Sequence, residues 1–279
     1  MPLNSDFTCD SEFMKLLTRR TDVNLTVAAL ELARDAYPHL RFEDTFDWIA
    51  ARAEEIARPV ARARCELKAL AELRGCLASC HGIRGDRESY DLADCSYLHR
   101  VIELRRGIPI SLSLLYMAVA AEVGITLHGV SAPGHFLTRY ESVEGPVFLD
   151  AFAEGKILTP EECIARMKQS SGLSEEQIIA SLEPVGPRTI VIRMLNNLKA
   201  LHVRQENWSA AWIVQHRLTA LQPTSYSERR DLALISLKSN RPGMALDLFE
   251  SCLQRCPCEE MPSLEQHLAE ARRQIVRWN

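Results

Sequence analysis

The chain has 279 residues, enough for one large or two modest domains, and its 47% apolar and 25% charged residues are those of an ordinary folded protein. A net charge of −4 provides no general attraction to nucleic acid or to an anionic membrane, so neither is an expected partner. Met1-Pro2-Leu3-Asn4-Ser5-Asp6 has no basic stretch leading into an apolar run, so no secretory signal is expected and the cytoplasm is the default compartment.

Residues 1–20 read as a loose lead. Asp22 or Asn24 can cap a helix running to about Tyr37, with Leu25, Ala28, Ala29 and Leu32 on one face. Phe42–Ala57 is periodic through Phe46, Ile49 and Ile56, and Pro59 is expected to break or restart it. Ala61–Ser79 reads as a third helix through Leu67, Leu70 and Leu73. His81–Asp94 is a polar connection in which Tyr90 is expected to pack back. A short helix over Ser96–Leu104 then leads into the most apolar stretch of the chain.

That stretch, Arg105–Gly124, reads as one buried helix. Gly107 and Pro109 mark its start and Gly124 its end. Apolar residues on nearly every face place it inside a fold, and Ser111 and Ser113 interrupt it too much for a membrane span. Three extended runs follow, Thr126–Val130, Phe136–Tyr140 and Pro146–Leu149, separated by Pro133-Gly134 and Glu144-Gly145-Pro146. His135 opens the second run and Asp150 closes the third.

The runs SYLHRVIELRRGIPISLSLLYMAVAAEVGI, APGHFLTRY and FLDAF resemble the transglutaminase-like core of bacterial Sir-B-type proteins, which carry a tetratricopeptide-like C-terminal region. The resemblance covers about Leu25 to Ile275. It implies an α+β, mostly helical fold: a papain-like core with a small antiparallel sheet, then helical hairpins. It also implies a nucleophile at the central helix N-terminus, His135 as its base and Asp150 as the orienter of the histidine. No cysteine lies between Ser96 and Glu162. Of the positions at the helix start, Pro109 to Ser111, only Ser111 has a usable group. Ser111, His135 and Asp150 are therefore the expected catalytic trio, weak or vestigial.

Cys95, His99, Arg106, Pro109 and Gly134 are the expected lining. The resemblance implies asparagines where this chain has Cys95 and His99, a departure that opens a second role for Cys95 as a displaced nucleophile. A thiol before a short helix is more often buried and inert. Arg105 and Arg106 flank the helix start, either to bind a carboxylate or phosphate or as a solvated surface pair.

Thr159-Pro160-Glu161-Glu162 is a helix start signal, and Ser174–Ala180 reads as a further short helix. Pro184, Gly186 and Pro187 mark a boundary. Beyond it Thr189–His202 is amphipathic, and Asn207–Pro223 superimposes on Arg241–Pro257 at a spacing of 34 residues, with Tyr226–Lys238 between them and Leu264–Trp278 as a cap. That period, with Ala211 matching Ala245 and Pro223 matching Pro257, is the tetratricopeptide signature. The expected organisation is residues 1–94 as the helical N-terminal part of the core, 95–183 as the transglutaminase-like core and 184–279 as the repeat region.

Nine cysteines without a secretory signal are expected to be reduced. Cys76 and Cys80 stand four apart with His81 adjacent, and Cys252, Cys256 and Cys258 lie close together. A structural zinc takes four ligands and neither cluster has a matching partner pair, so the thiols are expected to pack as small apolar groups and no metal is assigned. No phosphate-binding loop or dinucleotide fingerprint is present, so no cofactor is expected. Two functions remain. The first is a non-catalytic module that binds a protein or peptide through its cleft and repeats. The second is a hydrolase or acyl-transferase that uses serine where relatives of known chemistry use cysteine.

Overall fold

A computed structural model describes residues 7–278. The chain forms two compact units, one comprising Cys9–Met194 and the other residues 195–278 with Phe7 and Thr8. The content is mostly helical, with one four-stranded antiparallel sheet.

In the first unit, helices α1 (Ser11–Leu17), α2 (Leu25–Ala33), α3 (Phe42–Ala61) and α4 (Glu66–Arg74) precede a π-helical turn at Gly75–Cys80. The loose lead expected over residues 1–20 lies partly outside the described residues. Its described part contains α1, whose Phe13 and Leu16 are fully buried. Glu31 anchors α1 by accepting from the Glu12 and Phe13 backbone N–H groups. Asn24 caps α2 through the Val27 N–H, as its residue type predicts. Pro59 does not break α3, which runs on to Ala61 even though the proline lacks the N–H that would bond the Glu55 carbonyl.

Helix α5 (Leu98–Leu104) leads into α6 (Pro109–Glu122), around which the unit is built. Leu112, Leu115, Tyr116, Val119 and Ala120 of α6 are fully buried, and each buried Leu or Val contributes about 2 kcal/mol. Helices α2, α3, α4 and α5 and the strands His128–Val130 and Leu137–Ser142 all pack on it. Gly124 follows at φ +77°, a left-handed conformation that costs glycine little.

The strands are β1 (His128–Val130), β2 (Leu137–Ser142), β3 (Gly145–Asp150) and β4 (Lys156–Leu158), paired in that order as an antiparallel meander. β4 is three residues long, too short to show alternation in the sequence. Thr138 pairs with Leu149, so the start of β2 lies beside the end of β3. Helix α7 (Pro160–Ser170) begins at a reciprocal cap between Thr159 and Glu162, and α8 (Glu175–Ser181) follows. Val130, Ala132, Leu137, Phe148, Leu158, Cys163, Met167, Ile178 and Leu182 form the core between sheet and helices here.

Helix α9 (Pro187–Arg204) belongs to the first unit up to Met194 and to the second from Leu195. The second unit continues with α10 (Trp208–Leu221), α11 (Tyr226–Lys238), α12 (Pro242–Leu253) and α13 (Met261–Trp278), each packed on the next. Ala211 and Ala245, equivalent across the 34-residue period, are both fully buried. A small side chain at that position lets paired helices approach. Trp212 donates to Ser236 Oγ at 3.0 Å and stacks on His216, and Tyr226 donates to Glu260. Among the described residues no helix is long and apolar enough to cross a membrane.

Candidate functional site

The β2–β3 register brings His135 and Asp150 together. His135 Nε2 lies 2.9 Å from Asp150 Oδ1. A carboxylate only accepts, so Nε2 carries the proton and, in the neutral ring, Nδ1 keeps the lone pair. Nδ1 makes no hydrogen bond with the described residues, and the imidazole is 28% exposed while Asp150 is 7% exposed. The carboxylate thus orients a partly exposed imidazole.

Asp150 is fixed from three sides. Its Oδ1 also accepts from the Ala153 N–H at 3.2 Å, and its Oδ2 lies 3.5 Å from Arg166 Nη1 of α7. His135 is fixed through its backbone. Arg193 of α9 donates to the carbonyls of Ala132 (2.8 Å) and His135 (2.9 Å) and to Ser131 Oγ (2.8 Å). The His135 ring meets Phe152 edge-on at 6.1 Å, and Tyr90 packs against the same phenylalanine at 5.8 Å. Tyr90 reaches back to Phe152 with its ring but stays 44% exposed; partial desolvation raises its pKa and the Asp150 carboxylate adds to that.

A pocket of about 390 Å³ opens beside the dyad, within the size range of small-molecule and side-chain sites. Gly134, His135, Asp150 and Arg166 contribute its polar part, and Leu137, Leu158, Cys163 and Met167 its apolar wall. Burial pushes the Cys163 thiol up to about 12, so it is a wall residue rather than a nucleophile at neutral pH.

The other expected residues lie elsewhere. The Ser111 hydroxyl is buried and bound to the backbone: it accepts from the Ile108 N–H at 3.1 Å and donates to Cys95 O at 2.6 Å, with Ile108 O at 3.0 Å. None of its hydrogen bonds goes to His135. Pro109, next to it, is buried as the first residue of α6. Cys95 is wholly buried, which raises its thiol pKa even though Ser89 and Arg106 favour the thiolate. His99 packs edge-on against Tyr37 at 4.7 Å and lines a separate hollow with Pro38, Arg100 and Glu103. Arg106 pairs with Asp86 at 3.2 Å and Glu88 at 3.3 Å. Of the expected site residues, His135, Asp150 and Gly134 share the pocket.

Arg193, Arg166 and Phe152 were not singled out by sequence reasoning. Phe152 sits two residues past Asp150 in FLDAF and is legible by proximity. Arg193 lies 58 residues from His135, within a helix that reads as ordinary and amphipathic, and carries no local signal.

A buried central helix, a meander carrying an ordered histidine–aspartate pair, and helical hairpins of 34-residue period define a transglutaminase-like protein with an attached tetratricopeptide region. The chain belongs to the transglutaminase-like superfamily, whose family profile matches residues 42–196. Residues 198–276 match the tetratricopeptide repeat. A UPF0162 protein of Xylella fastidiosa is 31% identical over 269 residues, covering 92% of this chain and 90% of its own length. A UPF0162 protein of Vibrio cholerae is 28% identical over 177 residues, covering 63% of this chain and 65% of its own. Mouse F-box only protein 21 is 37% identical over 131 residues, which are 44% of this chain but 20% of that protein. No solved structure gives a significant match.

Proposed function

We propose that this protein is a non-catalytic binding module that takes a peptide or protein segment at the pocket beside His135 and Asp150 and on its repeat hairpins. The commitment of the Ser111 hydroxyl to Cys95 O and to Ile108 carries this reading. A serine that holds the loop before α6 to the helix start has structural work there, and its attack on a carbonyl would require breaking that bond. The pocket provides an apolar wall for a side chain and, through Arg166 and the imidazole, polar groups for the adjoining backbone. Stacked helical hairpins supply the extended surface on which such repeats hold peptides and partner helices.

The dyad favours a second reading, in which Ser111, His135 and Asp150 act as a hydrolase or acyl-transferase triad. Its support is the oriented imidazole with Nδ1 unengaged. In that mechanism Ser111 Oγ gives its proton to Nδ1, and N–H groups at the start of α6 hold the oxyanion.

The test is labelling with a serine-directed fluorophosphonate and, separately, a thiol alkylator, read by mass spectrometry, with His135→Ala as control. The binding-module reading expects no His135-dependent adduct on Ser111 or Cys95. An adduct on Ser111 that disappears in His135→Ala replaces it with the triad. The same dependence at Cys95 moves the nucleophile to that thiol.

A further inference from the structure

A second group of chemically competent side chains lies away from the pocket, where α3 meets the π turn after α4. We propose that Glu55, Cys76 and His81 form a binding site for one divalent zinc ion, with three protein ligands and a fourth position open to water. Their ligand atoms all lie within 4.8 Å of one another. Glu55 Oε2 is 3.6 Å from Cys76 Sγ and 2.7 Å from His81 Nε2.

The distances can be compared with what zinc requires. Bonds of about 2.3 Å to sulfur and about 2.1 Å to oxygen or nitrogen at tetrahedral angles put sulfur and oxygen about 3.6 Å apart, and nitrogen and oxygen about 3.4 Å apart. The thiol and carboxylate are already at that spacing. The imidazole and carboxylate, now hydrogen-bonded, must open by about 0.7 Å, which a partly exposed histidine accommodates by a small side-chain rotation.

The backbone is shaped for the trio. In an α-helix residues five apart face different sides. The π turn at Gly75–Cys80 is closed by the His81 N–H to Cys76 O bond, which brings the two residues together. Such turns concentrate at functional sites because they cost regularity. A plain surface pair between glutamate and histidine needs neither the turn nor a buried cysteine.

The surroundings also fit. Arg52 directs Nε (2.9 Å) and Nη2 (2.8 Å) to Glu55 Oε1, which leaves Oε2 facing the thiol and imidazole. Trp48 meets the His81 ring edge-on at 6.1 Å, and Arg52 lies over Trp48 at 5.1 Å. Groups that fix a ligand's orientation in this way raise metal affinity. A mixed sulfur, nitrogen and oxygen set with one open position suits zinc better than the hard cations, which take all-oxygen sites. On binding, the Cys76 thiol gives its proton to solvent and the imidazole proton moves from Nε2 to Nδ1. One proton is therefore released per ion, and no redox change occurs.

The experiment is titration of the full-length, chelator-treated protein with cobalt(II) followed by zinc(II). Expected are a thiolate-to-cobalt charge-transfer band and tetrahedral ligand-field absorption, saturating at one ion per chain and bleached by zinc. Cys76→Ser and His81→Gln lose this binding while keeping the wild-type circular dichroism. Arg52→Met binds about tenfold more weakly. Cys80→Ser, which alters the exposed neighbouring thiol, binds as wild type. Absence of the band in the wild type, or its survival in Cys76→Ser or His81→Gln, overturns the proposal and leaves the trio a hydrogen-bonded pair beside a buried thiol.

Discussion

Two imidazole–carboxylate pairs in the Cys9–Met194 unit have nearly the same geometry, 2.9 Å in His135–Asp150 and 2.7 Å in His81–Glu55. Their settings differ. Asp150 is buried at a strand end, its oxygens shared among the imidazole, a backbone N–H and Arg166. Glu55 is 43% exposed on α3, has one oxygen held by Arg52 and turns the other toward a thiol 3.6 Å away. The first arrangement orients one ring at the edge of a pocket. The second gathers three electron-pair donors around one point. The same pair of functional groups thus serves orientation in one place and, in the proposed site, ligation in the other, and the third neighbour decides which.

The largest expected difference between the pairs is in stability. Asp150→Ala removes an acceptor from three donors at a buried position and should destabilise the protein by about 3 kcal/mol, the low end for a broken buried pair because His135 is partly exposed. Glu55→Ala should cost below about 1 kcal/mol, as exposed pairs do. Urea unfolding of both variants checks this, and equal losses would erase the distinction.

Gly85→Ala tests the wall behind the first pair. A Cβ there would stand 2.0 Å from the Phe152 ring, which contacts His135. Overpacking of this kind should cost about 2 kcal/mol, and Gly85→Ala combined with Phe152→Ala should recover part of it. A single variant as stable as wild type would show that Phe152 is free to move, and that the imidazole is not held from that side.

Ser111→Ala asks whether the first pair has a third partner. Loss of the bonds to Cys95 O and the Ile108 N–H should cost about 1 kcal/mol, with no change in peptide binding. Greater stability in the variant would mark Ser111 as held for function.

The smallest effect concerns histidines without a carboxylate. His202 is buried with no partner for either ring nitrogen among the described residues, and His99 lacks one at Nδ1. Burial lowers both pKa values; Glu103 and Asp94 oppose that at His99 and Arg100 reinforces it. The folded state then binds fewer protons than the unfolded state. Stability is full above about pH 6.5 and falls as the pH drops below it. His202→Phe should flatten part of that slope in thermal melts between about pH 7 and pH 5; an unchanged slope would place the acid sensitivity elsewhere.

Much of this architecture is written locally. The apolar stretch bounded by Gly107, Pro109 and Gly124 specifies α6, because only an interior position satisfies a helix without a polar face. Asn24, Thr159 and Ser174 announce helix starts through the caps they form. The 34-residue period identifies the hairpins, since each repeat needs the same small residue at the helix crossing. His135 and Asp150 are legible as a pair because they flank strands joined by a short turn, and antiparallel pairing makes their meeting nearly obligatory.

Tertiary structure alone decided what acts across distance. Arg193 straps the His135 loop from another helix, and Arg166 reaches Asp150 from α7. Ser111 looks like a nucleophile in sequence, yet its hydroxyl is directed to Cys95 O by the loop that precedes α6. In sequence Cys76 stands with Cys80 and His81 and lacks a matching partner pair; that Glu55 of α3 meets Cys76 and His81 is decided by packing, on a helix whose sequence gives no sign of it. Local order follows from periodicity and capping, which act over a few residues. The direction a side chain takes, and which distant group meets it, is set by how whole elements pack.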